Sequence, residues 1–161
     1  TENGYHMTQT MHGWYYLPFK EKQQTSDWWK MDQTKREKKM GPDLTIDTVV
    51  KDIQDGIEVT VKIEGVSQAP FRVEIATLGA QKADNEYFCM QDIKGKRILA
   101  KAGMTLLSNK DDAIEVGPAF GTHSYMDGLF GSEGSDQGCF TLYFADYTQW
   151  EHTFTIRNVT A

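Results

Sequence analysis

The sequence is first informative through what it lacks. Its 161 residues contain no apolar stretch near the roughly 20 residues that a membrane helix needs. No N-terminal segment has the order of charged, apolar and small residues that is typical of a signal peptide. We therefore expect no membrane partner for this chain.

An excess of positive charge is also missing. The chain holds 17 Lys and Arg against 23 Asp and Glu, for a net charge of −6. Because phosphate binding needs a basic surface, this balance argues against a nucleic-acid partner. The one basic run, Lys35 to Lys39, is diluted by Glu37, and we interpret it as a solvated segment.

Cysteine and proline are both scarce. The two cysteines, Cys89 and Cys139, fall in predicted strands, and we expect two unpaired buried thiols, with a disulfide across the core as the alternative. A proline in the interior of a strand would remove a ladder hydrogen bond. All four prolines lie instead at boundaries of predicted elements: Pro18, Pro42, Pro70 and Pro118.

Recognisable catalytic and cofactor motifs are absent. The sequence has no HExxH or CxxC metal pattern, no GxSxG nucleophile elbow, and no GxGxxG or P-loop phosphate motif. We therefore expect no cofactor. Whether the chain is an enzyme stays open, and the absence of these motifs favours a chain that has no activity alone.

What the sequence does contain is a strict alternation of apolar and polar residues. Residues 57–64 place Ile57, Val59, Val61 and Ile63 on one face of a strand and polar residues on the other. A second alternating run spans residues 44–50. Because Gln54-Asp55-Gly56 has turn composition, we predict that the two runs form a hairpin.

Similar alternation recurs to the end of the chain. It predicts roughly nine to eleven short strands without intervening amphipathic helices, which is typical of an all-β, antiparallel two-sheet sandwich. A jelly-roll-like fold is our first prediction, and an immunoglobulin-like sandwich is the alternative. The predicted sandwich covers residues 43–161.

Residues 1–42 resist this pattern. We predict an irregular segment packed on the sandwich, with an edge strand over Trp14 to Phe19 and a short helix from Ser26 or Asp27 through Lys38.

A glycine-rich stretch, residues 117–138, is predicted to be a long loop, and such loops often carry function. On it, His123 and Tyr125 could act as acid and base on a sugar. The alternative is that His123 hydrogen-bonds to backbone and Tyr125 packs on the sheet. We expect no bound metal, although Asp127, Glu133 and Asp136 could hold a structural calcium ion.

Aromatic residues supply the remaining candidates for a binding site. The chain has eight Phe, four Trp and seven Tyr. Exposed aromatic faces stack on sugar rings, so Trp28, Trp29, Tyr125 and Trp150 are candidate ligand-binding residues. The alternative for Trp28 and Trp29 is that they anchor the N-terminal segment. His152 is in register with Phe154 and Ile156, which predicts a structural role.

Four segments of the chain resemble a known family in pattern: Asp27 to Arg36, Gly41 to Leu44, Gly138 to Phe144 and His152 to Ile156. Together they resemble the β-sandwich portions of heparinase-like polysaccharide lyases and related bacterial carbohydrate-active proteins. The helical toroid of those lyases is absent here. The resemblance implies a bacterial source and leaves the compartment open between the cytoplasm and a secreted or periplasmic location.

The resemblance implies a non-catalytic accessory module that binds a polysaccharide or packs on a neighbouring catalytic domain of a parent chain. Two alternatives remain open. The chain could supply part of a polysaccharide lyase active site through His123 and Tyr125, or it could be a structural or protein-interaction module without a small ligand.

Overall fold

The computed structural model describes residues 3–91, 97–123 and 140–159. These residues form eleven strands and two one-turn 3₁₀ helices, which confirms the all-β fold class. The helices are Trp28–Lys30 and Gln33–Lys35. The strands are β1 (Gly4–Tyr16), β2 (Lys38–Ile53), β3 (Gly56–Gly65), β4 (Pro70–Thr77), β5 (Lys82–Asp84), β6 (Phe88–Gln91), β7 (Arg97–Ala100), β8 (Thr105–Ser108), β9 (Ala113–Gly117), β10 (Phe140–Tyr147) and β11 (Trp150–Val159).

The strands form two sheets. The larger sheet has seven strands in the order β1-β2-β3-β11-β9-β8-β5, and all of its pairs are antiparallel. The smaller sheet has the order β4-β10-β7-β6. Its β10–β7 pair is parallel, which departs from the purely antiparallel expectation. The two-sheet sandwich is thus confirmed, and the finer jelly-roll assignment stays a prediction.

The core lies between the two sheets. On β3, Val59, Val61 and Ile63 are buried while the residues between them are partly exposed, as the period of two predicts. The same cluster includes Leu142 and Phe144 of β10. Burial of these apolar side chains is the main stabilising contribution of the sandwich.

Aromatic rings link the two sheets across this core. The ring of Phe144 meets that of Phe154 edge to face, with centroids 5.3 Å apart. His152 lies between Trp150 and Phe154 on the core-facing row of β11, with ring contacts to both. Its Nε2 lies 2.6 Å from the carbonyl oxygen of Pro118. The predicted structural role of His152 is confirmed.

The predicted hairpin of β2 and β3 is present. Asp55 takes the positive φ of the turn, at 62°. Gly56 has a different use: a side chain there would collide with the backbone oxygen of Ile156 on β11. The glycine therefore allows the close approach of two strands.

Strand β1 was not predicted along most of its length. It pairs with β2 from Gly4 to Tyr16, with one register irregularity between His12 and Trp14. The residues between its two ends are exposed. The predicted boundary between residues 42 and 43 falls inside β2, so residues 4–16 and 38–42 belong to the larger sheet rather than to an irregular segment.

The predicted helix from Ser26 or Asp27 through Lys38 is wrong. Two single 3₁₀ turns stand in its place, and each begins at an aspartate that accepts a backbone hydrogen bond, Asp27 and Asp32. The segment has no apolar stripe, so a longer helix would have no face to bury.

Candidate functional site

The predicted catalytic histidine is enclosed. His123 is only 7% exposed, and its ring meets that of Tyr147 with centroids 4.9 Å apart. Its Nε2 lies 2.9 Å from the backbone oxygen of Asp146. Because a carbonyl only accepts, Nε2 must carry the proton and donate it. This is the backbone-bonded alternative that the sequence analysis left open.

The buried polar groups beside His123 also have hydrogen-bond partners. The buried carboxylate of Asp146 accepts hydrogen bonds from the Thr122 hydroxyl at 2.6 Å and from the backbone N–H of Tyr147 at 2.8 Å. Such a network positions the chain and needs no ligand to complete it. The partner proposed for His123 in acid–base chemistry, Tyr125, lies outside the described residues.

No metal centre emerges from the described parts of the chain. Residues 3–91, 97–123 and 140–159 contain no group of three or more His, Cys, Asp or Glu that could hold an ion. The alternative ligands Asp127, Glu133 and Asp136 lie outside these ranges. Cys139 also lies outside them, and the structure describes only the backbone of Cys89, so the expectation of two unpaired thiols stays a prediction.

Trp150 was expected to bind ligand, and the structure corrects this. Its side chain is 6% exposed and packs on Phe71, with ring centroids 5.1 Å apart. Trp150 continues the alternating row of His152, Phe154 and Ile156 on β11. Strand parity was the signal that could have placed it in the core.

Of the remaining aromatic candidates, Tyr125 lies outside the described residues, and Trp28 lies beside further aromatic side chains on the surface. We define the aromatic cluster as the side chains of Trp14, Tyr16, Phe19 and Trp28 with the cations Arg36 and Lys38. Trp14 is 53% exposed and Trp28 is 50% exposed. Trp14 and Tyr16, two residues apart on β1, meet edge to face at 4.9 Å.

Arg36 is the centre of this cluster. Its guanidinium lies over the rings of Tyr16, Trp28 and Phe19, at 5.1, 5.2 and 5.5 Å from their centroids. It also donates hydrogen bonds to the backbone oxygens of Leu17 and Tyr16, at 2.8 and 2.9 Å. Arg36 therefore fixes the end of β1 against the segment that carries Trp28.

Lys38 extends the cluster along the strands. Its Nζ lies 4.3 Å from the centroid of Trp14 and 5.4 Å from that of Tyr16. The interpretation of residues 35–39 as a solvated run is therefore wrong for Arg36, which is partly buried against three rings. Lys38 is exposed, as that interpretation predicts, although its ammonium group lies over the ring of Trp14. The contacts with Trp14 and Tyr16 could not be predicted from a local pattern, because they join residues 20 to 24 positions apart.

The first 3₁₀ turn presents the two tryptophans. The Asp27 carboxylate accepts a hydrogen bond from the backbone N–H of Trp29 at 3.1 Å, and it pairs with Lys30 at 3.2 Å. Trp29 is 90% exposed. A cap of this kind orders the backbone of a short turn. The backbone of Trp29 is therefore held in place, and its ring extends into solvent.

Two acidic side chains near the cluster, Glu37 and Asp32, have lowered pKa values. Lys20 lies 2.7 Å from Glu37, and hydrogen bonding and attraction to that lysine lower the pKa of Glu37. The hydrogen bonds from Thr34 lower the pKa of Asp32. Residues 20–39 hold seven Lys and Arg against four Asp and Glu, a positive excess in an otherwise acidic chain.

In the described parts of the chain, no helix has the length and apolar character needed to cross a bilayer. Comparisons with protein-family models, with curated proteins and with solved structures found no match to this chain.

Proposed function

We propose that this chain is a non-catalytic β-sandwich module that binds glycans through the aromatic cluster and Trp29. One observation carries the proposal: the half-exposed rings of Trp14 and Trp28 lie beside the cations Lys38 and Arg36 at one edge of the larger sheet. Sugar rings bury their apolar faces on such aromatic side chains, while cations and amides bind their hydroxyl and acidic groups.

The order of the cluster supports a preformed surface. Arg36 binds two backbone oxygens at the end of β1, and Asp27 caps the turn that carries Trp28 and Trp29. Rings that are already fixed lose little conformational entropy when a ligand stacks on them. Trp28 fulfils part of the anchoring alternative through Arg36, but Trp29 is too exposed to be an anchor.

The local charge favours an acidic polysaccharide. Residues 20–39 carry the positive excess described above, and Arg36 and Lys38 lie directly over the rings. Binding to carboxylated or sulfated chains should therefore weaken as salt is added, since surface attraction is screened over about 10 Å at 0.1 M ionic strength. A neutral glycan would bind without this dependence.

The test is a glycan array followed by titration calorimetry on the best acidic ligand. We expect the Trp28→Ala, Trp29→Ala double variant to raise the dissociation constant roughly tenfold or more, because both aromatic faces on which a sugar ring could stack are removed. The matched control is Tyr87→Ala, which removes an aromatic ring that is 55% exposed on another part of the surface.

Three outcomes would change the proposal or favour one of its alternatives. Undiminished glycan binding by the tryptophan double variant would remove the aromatic cluster from the site. No binding to any glycan would leave the surface to a protein contact, such as a catalytic domain of a parent chain. The lyase alternative predicts unsaturated product from acidic polysaccharides, and a Tyr125→Phe variant would abolish it.

A further inference from the structure

The outer edge of β1 differs from the other sheet edges. β1 is 13 residues long, and Gly4 to Tyr16 include no Lys, Arg, Asp, Glu or Pro. The opposite edge of the same sheet, β5, has three residues, of which Lys82 and Asp84 are charged. Proteins commonly protect sheet edges by shortness, charge or proline, and β1 uses none of these.

The smaller sheet is protected at its edges as well. Its edge strand β4 begins at Pro70 and carries the ion pair of Arg72 with Glu74, whose atoms are 3.4 Å apart. The other edge, β6, is four residues long. The long uncharged edge of β1 is therefore a specific feature of one strand and not a general property of the sandwich.

The sequence of this edge is palindromic. Residues 6–12 are His-Met-Thr-Gln-Thr-Met-His, symmetric about Gln9. If two copies of β1 pair antiparallel about Gln9, each residue meets its own kind: Gln9 meets Gln9, Thr8 meets Thr10, Met7 meets Met11, and His6 meets His12. Thr–Thr and apolar cross-strand pairs stabilise antiparallel sheets.

The backbone has the correct parity for this pairing. The backbone N–H of Asp52 donates to the oxygen of Asn3, and that of Leu17 donates to the oxygen of Glu37. Odd-numbered residues of β1 therefore bond to β2, and even-numbered residues direct their N–H and C=O groups to the outer edge, where none of the described strands pairs with β1. Pairing about Gln9 joins even residues to even residues and forms about twelve interchain hydrogen bonds over residues 4–14.

Side chains on both faces are compatible with a second copy. On the face continuous with the core, Tyr5, Met7 and Met11 are exposed apolar groups that a neighbouring strand would partly cover. On the other face, His6 and His12 each lie 2.8 Å from a carboxylate of β2, Asp47 and Asp43. Each imidazole is thus already hydrogen-bonded to a carboxylate of its own chain, and pairing of two copies leaves neither ring without that partner.

From these observations we infer that β1 pairs with β1 of a second copy of this chain, on a two-fold axis at Gln9, to form a continuous fourteen-stranded sheet. The palindrome selects a second copy over an unrelated strand, because an arbitrary partner would not require this symmetry.

The first test is a charge swap at Gln9, with the assembly state measured by sedimentation velocity. We expect the unchanged chain to dimerise. Gln9→Lys and Gln9→Glu should each raise the dissociation constant at least roughly fivefold, because like charges would meet at the axis. An equal mixture of the two variants should dimerise again. The matched control, Gln81→Lys beside β5, should dimerise like the unchanged chain.

The second test is disulfide cross-linking with peptide mapping, which separates the new bond from any that involve Cys89 or Cys139. Gln9 would face its copy as a non-hydrogen-bonded pair, with Cα atoms about 4.5 Å apart, which suits a disulfide. Gln9→Cys should therefore cross-link, and Thr8→Cys should not.

A chain that stays monomeric at every concentration would overturn the inference. So would a dimer that survives both charges at Gln9, or a mixture of the two folded variants that fails to associate. Circular dichroism of each variant checks that it keeps its strand content. None of these outcomes depends on glycan binding, so the dimer and the proposed function can fail separately.

Discussion

Strands β1 and β11 belong to the same sheet, but their side chains meet different surroundings. On β11, Trp150 and Phe154 are buried against the smaller sheet, and their row is part of the core. On β1, Tyr5 is 73% exposed, and the strand is held by backbone pairing with β2. Burial of side chains therefore stabilises the centre of the larger sheet, where β11 lies, while β1 at its edge is held by backbone pairing and keeps its side chains exposed.

The largest expected effect of this difference is on the free energy of unfolding. Phe154→Ala should lower it by about 3–5 kcal/mol, because a buried ring that contacts Phe144 is lost and a cavity remains. Tyr5→Ala should change it by about 0.5 kcal/mol or less. Urea unfolding followed by circular dichroism measures both, and similar losses for the two variants would contradict the comparison.

Strands with one buried face could be predicted from the sequence, and the exposed strand β1 could not. The hairpin of β2 and β3 and the row of His152 and Phe154 could be predicted, because one-sided burial imposes a clear period of two. Strand β1 alternates as well, with Tyr5 and Met7 on one face, but neither face is buried. Without burial, its composition did not distinguish it from an irregular segment.

The candidate site was harder to predict for a different reason. Trp28 and Trp29 could be named as candidates, since exposed aromatics are a local property of composition. The cation that orders them, Arg36, could not, because its partners Tyr16 and Leu17 come from the other side of a long loop. The prediction for Trp150 was wrong because it followed the residue type, whereas the alternation along β11 places this side chain in the buried row.

We expect an intermediate effect at Arg36, whose substitution breaks the contacts that order the aromatic cluster. Arg36→Ala removes hydrogen bonds to Leu17 and Tyr16 and three ring contacts, which should cost about 1–2 kcal/mol locally. Hydrogen exchange should show faster exchange of the Leu17 amide, while core amides of β11 keep their protection.

Arg36→Lys serves as the matched comparison. It keeps the charge but loses the planar fork that binds two backbone oxygens, so the Leu17 amide should exchange at an intermediate rate. Lys22→Ala, an exposed change in the same loop, should leave exchange unaltered. Uniform loss of protection across both sheets in Arg36→Ala would show that the cluster and the core are one cooperative unit.

The smallest expected effect concerns pH. On the polar face of β1 and β2, the pKa of Asp47 is lowered by the hydrogen bond from the Thr8 hydroxyl, at 2.6 Å, and then by that from His6, at 2.8 Å. A lowered pKa in the folded chain means that Asp47 contributes stability above its ordinary pKa. This contribution is lost as the pH falls through the lowered value.

Thr8→Val should therefore move the pKa of Asp47 upward and leave less stability to be lost in acid. Titration of the carboxyl carbon by NMR measures this, with Thr10→Val as the matched control on the same face of β1. An Asp47 titration that is the same in all three proteins would show that the hydroxyl does not hold the carboxylate.

The parity of β1 has one more consequence. Trp14 is an even-numbered residue, so it shares a face of the strand with His12, on the same side as the polar pairs. In the proposed dimer the two-fold axis crosses the sheet, and the two aromatic clusters emerge on the same side, with the Trp14 positions about 34 Å apart along the strand direction. A polymer long enough to span that interval could engage both at once, and tethering of this kind strengthens attachment by about a hundredfold or more without any new contact. Short oligosaccharides would gain nothing, so chain length itself becomes a selectable property of the ligand.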